Sequence, residues 1–358
     1  MRFIFKTDYR QDLGIFRHDG DRFWYGLLAL LLLAAPLLLD SFYIGEISYV
    51  LVLAVAGIGI MLLTGYTGLV SLGHAAFLGI GAYAHAYFLQ VGIPFVVSVP
   101  LATLLTAAIG LLVGLPALRM TGIYLAIATL LFAVIIEQVF IRWEAVTHGF
   151  RGFSVPTPRL FDIPITDPSM LYYISLGILV IAMLAAINLL RSPTGRAFVA
   201  IRDSEIAARS MGVHLARYKS MAFAISAGFT GLAGCLFAHK IGYLAPDAFG
   251  IILSIQLLLM AVIGGLGSLH GVIFGAIFVG ALPQAIALTR DYLPDRIAQA
   301  PSLEPGVFGV ILVLLILFEP QGIYGRWRKV KLYFQLFPMY KSATFKRQKT
   351  YARSERNK

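Results

Sequence analysis

Residues 47–89 read ISYVLVLAVAGIGIMLLTGYTGLVSLGHAAFLGIGAYAHAYFL, without a single Asp, Glu, Lys or Arg. A helix needs about 20 apolar residues to cross the ~30 Å hydrocarbon core of a bilayer, so this stretch is long enough for two crossings. Between Thr64 and Tyr83 five glycines interrupt it, at positions 65, 68, 73, 79 and 81. The reading is one span at 47–64 and a second at 67–89, with a glycine-rich break between them. Working outward, further apolar runs lie at 23–40, 94–115, 122–141, 170–190, 219–239, 251–267, 269–289 and 305–319. The expected fold is an all-α polytopic membrane protein with about ten transmembrane helices. The runs at 67–89, 251–267 and 305–319 are the candidates for re-entrant segments.

Composition supports that reading. Of 358 residues, 59% are hydrophobic and 13% charged, with a mean hydropathy of +0.81. A soluble domain is about half apolar and a quarter charged, so the polar surface here is too small to wrap a water-facing globule. An ordinary soluble enzyme, a disordered chain and a disulfide scaffold are all excluded. Cys235 is the only cysteine, which leaves no intrachain disulfide and speaks against a thiolate metal site. The seven histidines form no HExxH or HxH pattern. No Gly-Lys pair occurs, so the chain has no P-loop to cradle nucleotide phosphates. No catalytic residue, metal or cofactor is expected.

An even number of spans puts both termini on one side. With the termini cytoplasmic, 23 of the 29 Lys and Arg face inward: five in residues 1–22, Arg119, six in 191–219 and eleven in 326–358. The positive-inside rule selects this orientation. The expected division is a cytoplasmic N-terminal extension at 1–22, a transmembrane domain at 23–319 and a basic cytoplasmic tail at 320–358. The extension carries four Asp among its basic residues and does not read as a signal peptide. The tail fits anionic membrane lipid, and nothing in it requires nucleic acid. Residues 142–169 hold four prolines and are expected outside as an ordered cap or gate without helix.

The inside loop at 191–218 is the most informative. Asp203 or Ser204 can cap a helix, Glu205 falls in its first turn and Arg209 in its last, each suited to the helix dipole. Gly212 is placed to end it in a left-handed cap. A short helix of about two turns should lie at 204–211, with Ala207 and Ala208 forming a flat face and Ile206 and Met211 offering apolar contacts. Charge alone reads as a basic connecting loop.

Two breaks share a pattern: Gly68-Leu-x-Ser71-Leu and Gly265-Leu-x-Ser268-Leu, each followed by a His and a Phe. Paired interruptions of this kind point to a transport pathway, although small-residue helix packing uses the same residues. Gly65, Tyr66, Gly68, Ser71, Gly73, His74, Gly265, Gly267 and Ser268 are therefore candidate pathway residues. The two breaks open spans three and nine, which are not equivalent positions in two five-span halves. Ionisable groups within spans are few: His74, His85, Glu137 and His239. Structural roles suit Glu137, His74 and His85.

Four motifs together resemble the permeases of branched-chain amino-acid ABC importers: TGYTGLVSLGHAAFLGIGAY at 64–83, LRMTGIYLAIATL at 118–130, SPTGRAFxAIRDSExAA at 192–208 and GGLGSLxG at 264–271. Order and spacing are most similar to the M-type (LivM-like) subunit, over roughly residues 45–325. The spacing Glu205-x-Ala207-Ala208-x3-Gly212 resembles the coupling signature of such permeases, whose short helix docks on an ATPase. The resemblance thereby implies ATPase coupling at Arg202, Asp203, Glu205, Ala207, Ala208 and Gly212. It also implies a second, H-type permease, two ATP-binding subunits, an extracytoplasmic substrate-binding protein and a bacterial inner membrane. The implied cargo is leucine, isoleucine or valine, while relatives carrying urea or short amides keep the cargo open. An ion-coupled secondary carrier is the alternative from another class.

Overall fold

The computed structural model describes residues 19–120, 122–160, 163–164, 167–290, 303–318 and 321–336. Most of the expected N-terminal extension, up to residue 18, and the basic tail beyond 336 lie outside the described residues.

Helices dominate. In order they are α1 (Asp19–Leu38), α2 (Ser41–Ile60), α3 (His74–Gln90), α4 (Phe95–Ala117), α5 (Ile123–Arg142), α6 (Pro168–Arg191), α7 (Pro193–Asp203), α8 (Glu205–Ser210), α9 (Leu215–Ile241), α10 (Ile251–Gly264), α11 (Leu269–Arg290), α12 (Leu303–Phe318) and α13 (Gly322–Leu336). Two antiparallel ribbons depart from the all-α expectation. β1 (Phe153–Ser154) pairs with β4 (Tyr243–Leu244), and β2 (Arg159–Leu160) pairs with β3 (Ile163–Pro164).

Each of the ten apolar runs coincides with a helix. Seven helices among the described residues are long and apolar enough to cross a membrane: 41–66, 95–117, 123–142, 168–191, 215–241, 246–264 and 269–287. The other three are shorter. The apolar part of α1 runs from Arg22 to Leu38, α3 has 17 residues and α12 has 16. In α3 the cause is visible, because the glycine-rich break at 68–73 is not helical and delays the start of the helix to His74.

Two compact units emerge from the contacts, Leu32–Tyr324 and the terminal segments Met1–Leu31 with Gly325–Lys358. In the terminal unit, Arg326, Arg328, Lys329 and Lys331 lie exposed on α13. Phe23 and Trp24 meet edge to face on α1.

In the larger unit α2 and α9 form the centre. α9 packs against α2, α3 and α4. Of the most apolar window of each helix, 83% is buried in α2 and 72% in α9, against 28% in α4, α5 and α6. The outer helices therefore turn side chains such as Leu104, Leu112 and Ile181 outward, as helices bathed in hydrocarbon do. Close approach at the centre depends on small residues. A Cβ on Gly234 would run into the Leu78 carbonyl, and one on Gly81 into the Gly231 carbonyl.

The segment at 142–169 corrects the expectation of a cap without helix. It opens with helical turns at Glu144–Thr147 and Gly149–Arg151. The Thr147 hydroxyl donates to the carbonyls of Phe140 (2.6 Å) and Trp143 (2.8 Å), which closes these turns onto the end of α5. The Val155 amide donates to Gly242 at 2.9 Å and ties the segment to the end of α9.

Candidate functional site

The loop between α6 and α9 folds as two helices. Ser192 caps the first, accepting the Gly195 amide at 3.4 Å, and Pro193 occupies the first helical position, where its missing N–H costs nothing. α7 is amphipathic, burying Gly195, Ala197, Phe198 and Ile201. Ser204 caps α8 by accepting the Ala207 amide at 3.3 Å, so Ser204 rather than Asp203 is the cap. Gly212 follows with φ of +84°, the left-handed conformation expected of it.

Glu205 and Ala208 turn toward the chain itself. The Glu205 carboxylate accepts a hydrogen bond from Lys219 Nζ at 2.7 Å, and Lys219 at the start of α9 is only 2% exposed. Ala208 is buried, which corrects the reading of Ala207 and Ala208 as one open face; Ala207 alone is exposed. Ile206 and Met211 stand out, each 84% exposed. The presented surface thus carries two large apolar side chains beside the exposed Arg209 and Ser210.

Arg202 ends α7 and reaches the membrane helices. Its Nη1 donates to the Gly65 carbonyl at 3.2 Å, while Nε and Nη2 hold Asp203 at 3.1 and 3.0 Å. Gly65 belongs to a π-helical turn, Met61–Tyr66, that ends α2. A helix end leaves carbonyls without partners and carries partial negative charge. Arg202 meets that need, and nearby side chains and amides meet others: Thr67 Oγ1 donates to Leu62 at 2.9 Å and the Leu69 amide to Leu63 at 3.1 Å.

The second break meets the first at this point. The Gly267 amide approaches Met61 Sδ at 3.2 Å. A Cβ added to Gly65 would lie 2.7 Å from the Gly267 nitrogen, and one on Gly267 would lie 3.1 Å from Arg202 Nη1. Gly68, at φ +76°, lies against the stem of Arg202, and Gly265 and Gly267 have φ of +109° and +82°. Of the coupling and pathway residues read separately from sequence, Arg202, Gly65, Gly68 and Gly267 therefore meet, while Glu205, Ala207, Ala208 and Gly212 lie apart from the breaks.

Deeper residues of the first break are held by backbone and side-chain contacts. Ser71 Oγ accepts the Gly73 amide at 3.3 Å, and the Leu72 amide donates to Thr129 Oγ1 at 3.0 Å. Gly73 packs on the Thr129 carbonyl. Tyr66 is half-buried. His74 is buried, with Nε2 2.8 Å from Ser226 Oγ, whose hydroxyl donates to Gly59 at 2.7 Å. Ser268 Oγ accepts the Gly271 amide at 3.2 Å and caps α11. His85 lies between Ser98 (2.7 Å) and His239 (2.8 Å). Among the described residues no three His, Cys, Asp or Glu gather as a metal site.

Sequence reasoning missed α7, Lys219 and the junction. The Ser192-Pro193 pair was the available signal for α7. Nothing local marks Lys219 as the Glu205 partner, fourteen residues away in sequence. Contact between the breaks is a tertiary fact with no sequence signature.

Seven apolar helices long enough to cross a bilayer mark a multi-pass membrane protein, and a polar loop fastened to interrupted helix ends suits a permease. Comparison with known proteins agrees. Residues 43–316 match the family described as branched-chain amino acid transport system / permease component, and the chain belongs to that family. It is 33% identical over 324 residues to the high-affinity branched-chain amino acid transport system permease protein LivM of Escherichia coli strain K12, covering 83% of this chain and 74% of that protein. The LivM of Salmonella typhimurium strain LT2 is as similar, with the same identity and coverage. The autoinducer 2 import system permease protein LsrC of Salmonella paratyphi B is 28% identical over 74% of this chain and 78% of its own. No solved structure matches.

Proposed function

We propose that this chain is a membrane-spanning permease subunit of an ATP-driven importer that carries branched-chain amino acids across a bacterial inner membrane. Its apolar helices form ten spans with both termini cytoplasmic. Its partners are an H-type permease, two ATP-binding subunits and an extracytoplasmic binding protein that delivers the substrate. The LivM relatives, named for high-affinity branched-chain amino acid transport, support the cargo.

The contact that carries the mechanism is Arg202 to Gly65. Ile206 on α8 and Met211 at its end dock into an apolar cleft of an ATP-binding subunit. When ATP draws the two ATPases together, α8 moves with them, and the Glu205–Lys219 pair passes that motion to α9. Arg202 passes it to the joined ends of α2 and α11. Gly68, Gly265 and Gly267 act as hinges, and movement there, along Gly65, Tyr66, Ser71, Gly73, His74 and Ser268, opens the pathway inward. No bond chemistry takes place in this chain.

The test is purification of the tagged chain from its native membrane in mild detergent, with identification of what accompanies it, and leucine uptake measured with ATP depleted. Recovery of a second permease and P-loop ATPases, with uptake abolished by ATP depletion, is the expected result. Recovery of the chain alone, with uptake that follows an ion gradient, overturns the reading.

A further inference from the structure

A second polar site lies at the other end of the central helices. Between the first turns of α2, the last turn of α9 and residues 155–158 is a cavity of about 510 Å³, within the range of small-molecule sites. Glu46 on α2 lines it, nineteen residues before Gly65. That separation amounts to about 28 Å of helix, so the cavity is nearly a membrane thickness from the Arg202 junction.

The charged lining has both signs. Glu46 Oε1 and Lys240 Nζ are 3.8 Å apart, with side chains 31% and 24% exposed. At that separation the two groups attract but do not hydrogen-bond, so each keeps capacity for a closer partner. The other acid in the lining, Asp167, accepts the Ser169 amide at 3.1 Å through one carboxylate oxygen and caps the start of α6. His239, next to Lys240, faces His85. Phe42, Val155 and Leu171 supply an apolar wall.

An α-amino acid carries an ammonium and a carboxylate on adjoining carbons, and a branched side chain beyond them. It satisfies Glu46 and Lys240 together, with charge-assisted hydrogen bonds stronger than the loose pair they replace. A solute bearing one charge engages only one of the two. The geometry points to this cavity as a reception site for an α-amino acid zwitterion, ammonium on Glu46, carboxylate on Lys240, side chain against Phe42 and Leu171. This rests on the amino-acid reading above and adds where the ligand sits and which groups select it.

The experiment uses the complex as isolated from its membrane, in lipid nanodiscs, with tritiated leucine as the probe. Unlabelled leucine, 4-methylpentanoate and 3-methylbutylamine compete. Cells carrying Glu46→Gln, Lys240→Met or Lys240→Arg as the only copy are assayed for leucine uptake. Leucine should displace the label at least about tenfold more effectively than either single-charge analogue, reflecting the charged partner each analogue leaves unmatched. Uptake should fall about tenfold or more in Glu46→Gln and Lys240→Met and recover in Lys240→Arg, which separates charge from folding.

Equal competition by the analogues overturns the site, as does undiminished uptake in both charge-removing variants, while wild-type leucine uptake keeps the permease reading intact. A wild-type complex that neither binds nor takes up leucine removes both together.

Discussion

Lys219 Nζ lies 2.7 Å from Glu205 Oε2 and is almost fully enclosed, so the acid at the start of α8 balances a buried cation at the start of α9. Removing one partner of such a pair strands the other charge away from water. With Glu205 itself 35% exposed, Glu205→Gln should cost about 2 kcal/mol, less than a fully buried pair. Lys219→Met in the same chain should restore most of that stability, because the stranded charge is gone. Thermal unfolding of the single and double variants in detergent checks this, and equal loss in both removes the pairing argument.

Arg202 bridges Asp203 and the Gly65 carbonyl with a planar fork of donors. A lysine cannot make all three contacts at once. Both Arg202→Ala and Arg202→Lys should lower leucine uptake about tenfold, corresponding to ~1.4 kcal/mol of lost coupling. ATP hydrolysis by the complex should continue in both. A parallel loss of hydrolysis and uptake would place Arg202 in assembly rather than in transmission.

Ile206 on α8 and Met211, the residue that ends it, are both exposed. Replacing both with Ser should leave the chain's thermal stability within about 0.5 kcal/mol, as surface changes do. Recovery of the ATP-binding subunits with the tagged chain should fall sharply. Unchanged recovery would move the docking surface off α8.

How much of this was written in the sequence differs by element. Every apolar run became a helix, because hydrophobic length is a local property that survives whatever neighbours a helix acquires. Ser204, Glu205 and Gly212 likewise marked α8 through capping, which depends only on a few adjacent residues. The glycine patterns at 65–73 and 264–271 marked helix ends correctly, and the repeat is one of turn chemistry at one end of the molecule. Their contact with each other and with Arg202 could not be read, since it joins residues 65, 202 and 267 through packing alone. Ala208 was misjudged for a related reason. Its neighbours decide which face of a two-turn helix is covered, and those neighbours are tertiary.

Packing of α3 on α9 gives the sharpest test of the fold. Gly234 sits where an added Cβ would collide with the Leu78 backbone carbonyl, and backbone cannot turn aside as a flexible side chain does. Gly177, in α6, has nothing within 4 Å of the same position. Both are glycines within helices, so replacing either removes the same unfolded-state entropy. That alone favours Ala by roughly 0.5–1 kcal/mol. Gly177→Ala should show that gain. Gly234→Ala should instead lose about 1–3 kcal/mol, because overpacking forces the two helices apart. Thermal unfolding of the two variants side by side decides it. Opposite signs support the close α3–α9 crossing, and equal stabilisation at both positions would mean that the two helices are farther apart than described.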